Sequence, residues 1–114
     1  MARCPLLLAA LAASLALECA AQAPAPPPAF VDAGKGNCIA CHQLPEGAGP
    51  ATRADLGPRL EGARMRTLGK AGIRELIEDP MRAKPDTVMP PFGRHRILER
   101  ADIDRLVEYL HALP

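Results

Sequence analysis

Two cysteines and a histidine, in the order Cys38-Ile39-Ala40-Cys41-His42, are the residues of this 114-residue chain best placed to do chemistry. On one helical turn, residues three apart lie on the same side. Each thiol can therefore form a thioether with one vinyl group of a haem, while the imidazole that follows directly reaches the iron. In an exported chain the C-x-x-C-H pattern points to covalent attachment of one haem c. Two other chemistries use similar residues. A zinc site needs four ligands, and beyond the motif only His95, His111 and scattered carboxylates remain, with no second C-x-x-C. A dithiol redox centre belongs in an alternation of strands and helices, and no run here reads as a convincing strand.

A second axial ligand has to come from the opposite side of the ring, hence from distant sequence, and the usual donors are Met or His. Met65, Met81, Met89, His95 and His111 are available. Met89 stands out because it lies in Lys84-Pro85-Asp86-Thr87-Val88-Met89-Pro90-Pro91-Phe92-Gly93. Prolines lack an N–H and resist helix, so this stretch reads as an extended loop able to lay a thioether across a haem face. Met65 and Met81 read as gap-fillers in a core, and His95 and His111 as surface or packing residues. A neutral thioether favours reduced iron and raises the potential relative to a second imidazole, which suits an electron acceptor.

The elements that must position these groups are helical. A short helix from about Phe30 leads into the motif. Leu68 to Glu78 carries Ile73, Leu76 and Ile77 on one face before Asp79-Pro80 stops it. From Ala101 to Leu113, Ile103, Leu106, Val107 and Leu110 recur at helical spacing with charges between them; this face should pack on the first helix and the haem edge. The Gly/Pro-rich stretch from Pro45 to Pro58 reads as a loop crossing the ring. The aromatic residues are few, namely Phe30, Phe92 and Tyr109, and so small a domain buries a low fraction of its surface. A large apolar cofactor would fill the middle.

At the amino terminus, Arg3 precedes an apolar and small-residue run from Leu6 to Leu17 and then Cys19-Ala20-Ala21, the layout of a secretory signal peptide. The run is too short to cross a bilayer as a helix, which needs about 20 residues, so no membrane anchor is expected after cleavage. The expected organisation is a signal peptide at 1–21, cut at Ala21/Gln22, an Ala/Pro tether at 22–29, and a haem domain at 30–114. A lipoprotein cut before Cys19 is the alternative, disfavoured by the bulky acidic Glu18. The expected location is the periplasm.

Of 14 basic and 13 acidic residues, the leader would remove Arg3 and Glu18, so the formal charge stays at +1. The basic residues Arg53, Arg59, Arg64, Arg66, Lys70 and Arg74 outnumber Asp55 and Glu61 in their stretch, and Arg94 and Arg96 flank His95. They could pair with haem propionates or steer an acidic partner, or form an ordinary solvated face. Nucleic-acid binding is not expected, because no aromatic residues interleave with the basic ones. No Ser/His/Asp grouping or phosphate-cradling glycine loop supplies an independent catalytic centre.

The order of the Cys38–His42 motif, Gly57-Pro58-Arg59-Leu60-Glu61-Gly62, the Pro80 to Met89 stretch and a terminal helix with Tyr109-Leu110 resembles class I cytochrome c over nearly the whole expected mature chain. The resemblance implies the all-α class I cytochrome c fold, and that the carbonyl of Pro58 accepts a hydrogen bond from the other ring nitrogen of His42, fixing that ligand. More narrowly, Gly36-Asn37 with the motif, and Pro85 through Phe92-Gly93-Arg94-His95, resemble the SoxX subunit of the sulfur-oxidation cytochrome SoxAX. That likeness implies a heterodimer with a larger SoxA-like haem c subunit. In that family the complex joins thiosulfate to a cysteine of a sulfur-carrier protein complex and passes two electrons to a downstream cytochrome c. Such an S-thiosulfotransferase does its sulfur chemistry on the partner's haem, leaving electron transfer to Cys38, Cys41, His42 and Met89 here. The alternative is a free-standing electron shuttle.

Overall fold

The computed structural model describes residues 23–114, so the expected leader and both candidate cuts lie outside the described residues. Among the described residues there is no strand. The order is a one-turn helix α1 (Pro28–Val31), a 3-10 turn (Cys38–Ala40), the long helix α2 (Gly62–Glu78), a second 3-10 turn (Pro80–Arg82) and α3 (Arg100–His111). No described helix is long and apolar enough to cross a membrane.

A four-residue helix has no stability of its own, because nucleation costs more than one turn returns. Tertiary packing holds α1. Phe30 is fully buried and meets Tyr109 of α3 edge to face, with ring centroids 5.4 Å apart. Burying one such aromatic is worth about 1.5–3 kcal/mol, and the edge-to-face pair adds about 0.5–1.5 kcal/mol. The helix begins at Pro28, two residues before the expected start, since proline suits a first helical turn. Pro24, Ala25 and Pro27 lie along α3 beside Asp104, Glu108 and Tyr109.

The second helix runs further back than its apolar spacing suggests, starting at Gly62 rather than Leu68, and it is broken in the middle. Gly69 has φ 67° and ψ 169°, a conformation open essentially to glycine alone. The chain thus ends one helical segment at Leu68 and restarts at Lys70. The break lets the first segment bury Met65 while the second buries Ile73 and Ile77. Asp79 then leaves the helical region, at φ −153° and ψ 81°, and ends the helix just before Pro80, since the residue before a proline is disfavoured in α conformation.

In α3, Ile103, Leu106, Val107 and Leu110 are buried, the face expected from their spacing. Leu113 is also buried although the helix ends at His111. Asp102 in the first turn and His111 in the last agree with the helix dipole. The two long helices pack against each other and are bridged by Lys70–Glu108 at 2.6 Å and by Arg74–Asp104. These exposed pairs fix orientation more than they stabilise. Arg66 donates to the Leu113 carbonyl at 2.8 Å, and the Gly62 N–H donates to Pro114 O at 3.1 Å. Much of the basic run from Arg53 to Arg74 is therefore engaged within the chain.

Candidate functional site

Asn37 opens the motif in the left-handed region, with φ 47°, where its short polar side chain is tolerated. The next residues coil into one turn, with Cys41 N–H donating to Cys38 O at 3.2 Å and His42 N–H to the same carbonyl at 2.9 Å. The turn is 3-10 in its first residues rather than a full α-helix. It sets Cys38, Cys41 and His42 on one short rigid piece. Both cysteines are unbridged thiols. Burial, with a smaller contribution from neighbouring Cys41, pushes the Cys38 thiol up to about 11. A dithiol oxidoreductase needs the opposite, a thiol that ionises below its usual range.

His42 is held from two sides. Its Nδ1 lies 2.7 Å from Pro58 O; a carbonyl can only accept, so Nδ1 carries the proton and Nε2 keeps the lone pair that a metal needs. Gly57 lies flat against the ring, where a Cβ would stand 2.7 Å from Nδ1 and 2.8 Å from Nε2 and closer still to Cε1. The segment bearing Gly57 and Pro58 is sewn to the motif by Gly57 N–H to Cys41 O at 2.8 Å and Leu60 N–H to Gln43 O at 2.9 Å. Further back in the same loop, Gln43 Nε2 donates to Ala54 O at 2.8 Å and Thr52 Oγ1 to Ile39 O at 3.3 Å. The loop from Pro45 to Pro58 thus serves as the wall that orients the imidazole.

The Met89 stretch is irregular and non-helical, with Pro91 and Phe92 buried as its anchor and Val88 exposed. Thr87 Oγ1 accepts from the Met89 N–H at 3.1 Å, a local hydroxyl turn that fixes the backbone under the thioether. Met89, Cys38, Ile39 and Leu68 are half-buried and rest on the same apolar core. Met65 is inside that core, 4% exposed. Met81 is half-buried in the second 3-10 turn, His95 is exposed, and His111 sits at the end of α3.

The donor set matches a haem better than a bare ion. Among the described residues no group of three or more His, Cys, Asp and Glu is arranged to hold a metal ion, whereas two thiols, one oriented imidazole and a backbone-fixed thioether are what a macrocyclic ligand asks of a protein. The half-buried apolar rim of Ile39, Leu68 and Met89 suits its hydrophobic faces. The family profile for cytochrome c oxidase, cbb3-type, subunit III matches residues 25–110.

The chain belongs to this family of c-type cytochromes. It is accordingly an all-α cytochrome c domain that binds haem c covalently and transfers electrons through it. No curated protein matches the chain significantly. For this cytochrome, sequence spacing picked out the motif and the Met89 loop, and passed over Gly57, Thr52, Gln43 and Thr87. Gly57-Pro58 carried a usable signal, because a glycine beside a turn proline often marks close approach. Thr87, two residues before Met89, is likewise a recognisable hydroxyl-turn position. Nothing local marked Thr52 or Gln43, whose partners lie 13 and 11 residues away.

Proposed function

We propose that Cys38 and Cys41 hold a single haem c by thioethers, that His42 Nε2 and the Met89 sulfur are its axial ligands, and that the protein is the small electron-transfer subunit of a periplasmic thiosulfate-oxidising complex. When bound, the haem supplies a one-electron ferric/ferrous couple. Pro58 O holds the proton on Nδ1 and so keeps His42 aligned and basic. Gly57 keeps the ring from tilting, and Thr87 holds the Met89 backbone. The core formed by Phe30, Leu106 and Leu113 keeps water from the interior side, which favours the less charged reduced state.

The observation that carries electron transfer is the clamped His42 beside two unbridged cysteines in a chain of this family. The sulfur-oxidation role rests on the likeness of the Pro85–His95 string to SoxX. In that role a larger SoxA-like haem subunit joins thiosulfate to a cysteine of the sulfur-carrier complex, and the two electrons released pass through this chain to a downstream cytochrome c. The family match to an oxidase subunit supports a second reading, a haem domain that delivers electrons toward a terminal oxidase as a free periplasmic shuttle.

Three measurements test these readings. Protein made with haem-attachment machinery should gain the mass of one haem after denaturation, and Met89→Ala should abolish the weak near-infrared band of sulfur-to-ferric-iron ligation. An unmodified mass refutes the haem assignment, and a band surviving Met89→Ala transfers the ligand to Met65 or Met81. Purification from the native host then separates the roles: a second haem polypeptide at equal stoichiometry supports the thiosulfate complex, and its repeated absence supports the shuttle.

A further inference from the structure

The Met89 stretch leaves the fold at the end of α2 and returns to the same place. At its base, Arg94 N–H donates to Glu78 O at 3.0 Å, and Gly93 lies so close to Glu78 that an added Cβ would stand 2.9 Å from its Cγ. Beside this crossing sits Asp79, one of two buried charged residues among the described residues and only 7% exposed. Its Oδ2 faces Arg94 Nη1 and Arg82 Nε, each at 3.4 Å, and its Oδ1 has no partner. A buried carboxylate is costly unless paired, so Asp79 depends on these arginines. Arg82 is three residues on in the same turn and closes nothing. Arg94, 15 residues away, joins the two ends of the loop. On its outer side the base borders a cleft of about 640 Å³ whose walls include Arg82, Arg94, Arg96 and Leu98, so apolar packing does not seal it there.

We propose that Asp79 and Arg94 form a clasp that holds the Met89 loop shut, making Asp79 a positioning residue for the axial thioether. This rests on the reading of Met89 as iron ligand. Charge pairing across the loop base sets how often the loop opens, and therefore how readily an outside ligand replaces Met89. When an incoming ligand binds only the opened form, its apparent affinity scales with the fraction open, so a loosened clasp reads directly as tighter binding.

The test is titration of the ferric holoprotein with imidazole, following loss of the near-infrared band. Asp79→Asn and Arg94→Gln should each tighten the apparent imidazole affinity about tenfold, equivalent to 1.4 kcal/mol of loop-opening free energy. The double variant should match either single one, because both break the same contact. Arg74→Gln, which removes the Arg74–Asp104 pair between α2 and α3, should leave the affinity unchanged. Affinities within twofold of wild type in Arg94→Gln, whose side chain is largely exposed and tolerant of change, overturn the clasp, as does an effect of Arg74→Gln as large as that of Asp79→Asn. A wild-type protein with no such band, or one that keeps it in Met89→Ala, overturns the ligand assignment instead, and the two failures are distinguishable.

Discussion

Replacing Gly57 by alanine probes the His42 clamp with a single methyl group. The new Cβ would lie 2.7 Å from Nδ1 and 2.8 Å from Nε2, inside the 3.0 Å that real Cβ atoms keep. Neither side can yield without loss. The Gly57 backbone is tied to Cys41 O at 2.8 Å, and the ring is tied to Pro58 O at 2.7 Å. Forcing extra volume into such a contact costs about 1–3 kcal/mol, and a ring that retreats also forfeits its hydrogen bond, worth about 1 kcal/mol net. A loss of about 2–3 kcal/mol is expected. For a domain of this size each kcal/mol moves the melting temperature by about 4–8 °C, so the midpoint should fall by at least about 8 °C. Denaturant titration and thermal melting of the purified protein measure both values. The spectrum of the ferric form should change as well, since the imidazole is displaced. A variant within about 0.5 kcal/mol of the parent, with an unaltered spectrum, would refute the view that Gly57 is required by contact with His42.

Two glycines three residues apart should respond with opposite signs: Gly69→Ala places a side chain at φ 67° and should cost about 1–3 kcal/mol, whereas Gly72→Ala meets only Leu68 at 3.4 Å and should gain about 0.5–1 kcal/mol. Denaturant midpoints decide both, and a loss at Gly72 or a gain at Gly69 contradicts the break in α2. Tyr109 donates to Ala48 O at 2.9 Å, and burial above all pushes its phenol from 10.0 up to about 12. The unfolded chain releases that proton first, so stability contributed by the neutral phenol is complete below pH 10 and is lost as pH rises toward 12. Tyr109→Phe should cost about 1–2 kcal/mol at neutral pH and flatten the alkaline decline; an alkaline decline equal to the parent's assigns it to other groups.

Which residues are candidates for the chemistry was legible in the sequence because candidacy rests on identity and short spacing. Two cysteines three apart and an adjacent histidine must share a turn whatever surrounds them, and prolines on both sides of Met89 keep it out of a helix. Period fixed α3 almost to its ends, since Ile103, Leu106, Val107 and Leu110 can be buried together on one face only. Tertiary structure decided what depends on contact between distant segments. The start of α2 at Gly62 was hidden because Met65 alone shows no period, and the break at Gly69 is visible only as a positive φ. The press of Gly57 on His42 brings together residues 15 apart, and the pairing of Asp79 with Arg94 closes a loop that no local pattern announces. Three arginines and one lysine that read as part of a solvated or partner-facing run are engaged by Glu61, Glu108, Asp104 and the Leu113 carbonyl. Charge in a sequence has sign but no direction; apart from the local Arg59–Glu61 pair, it is the packing of α2 against α3 and the chain end that gave these side chains their partners.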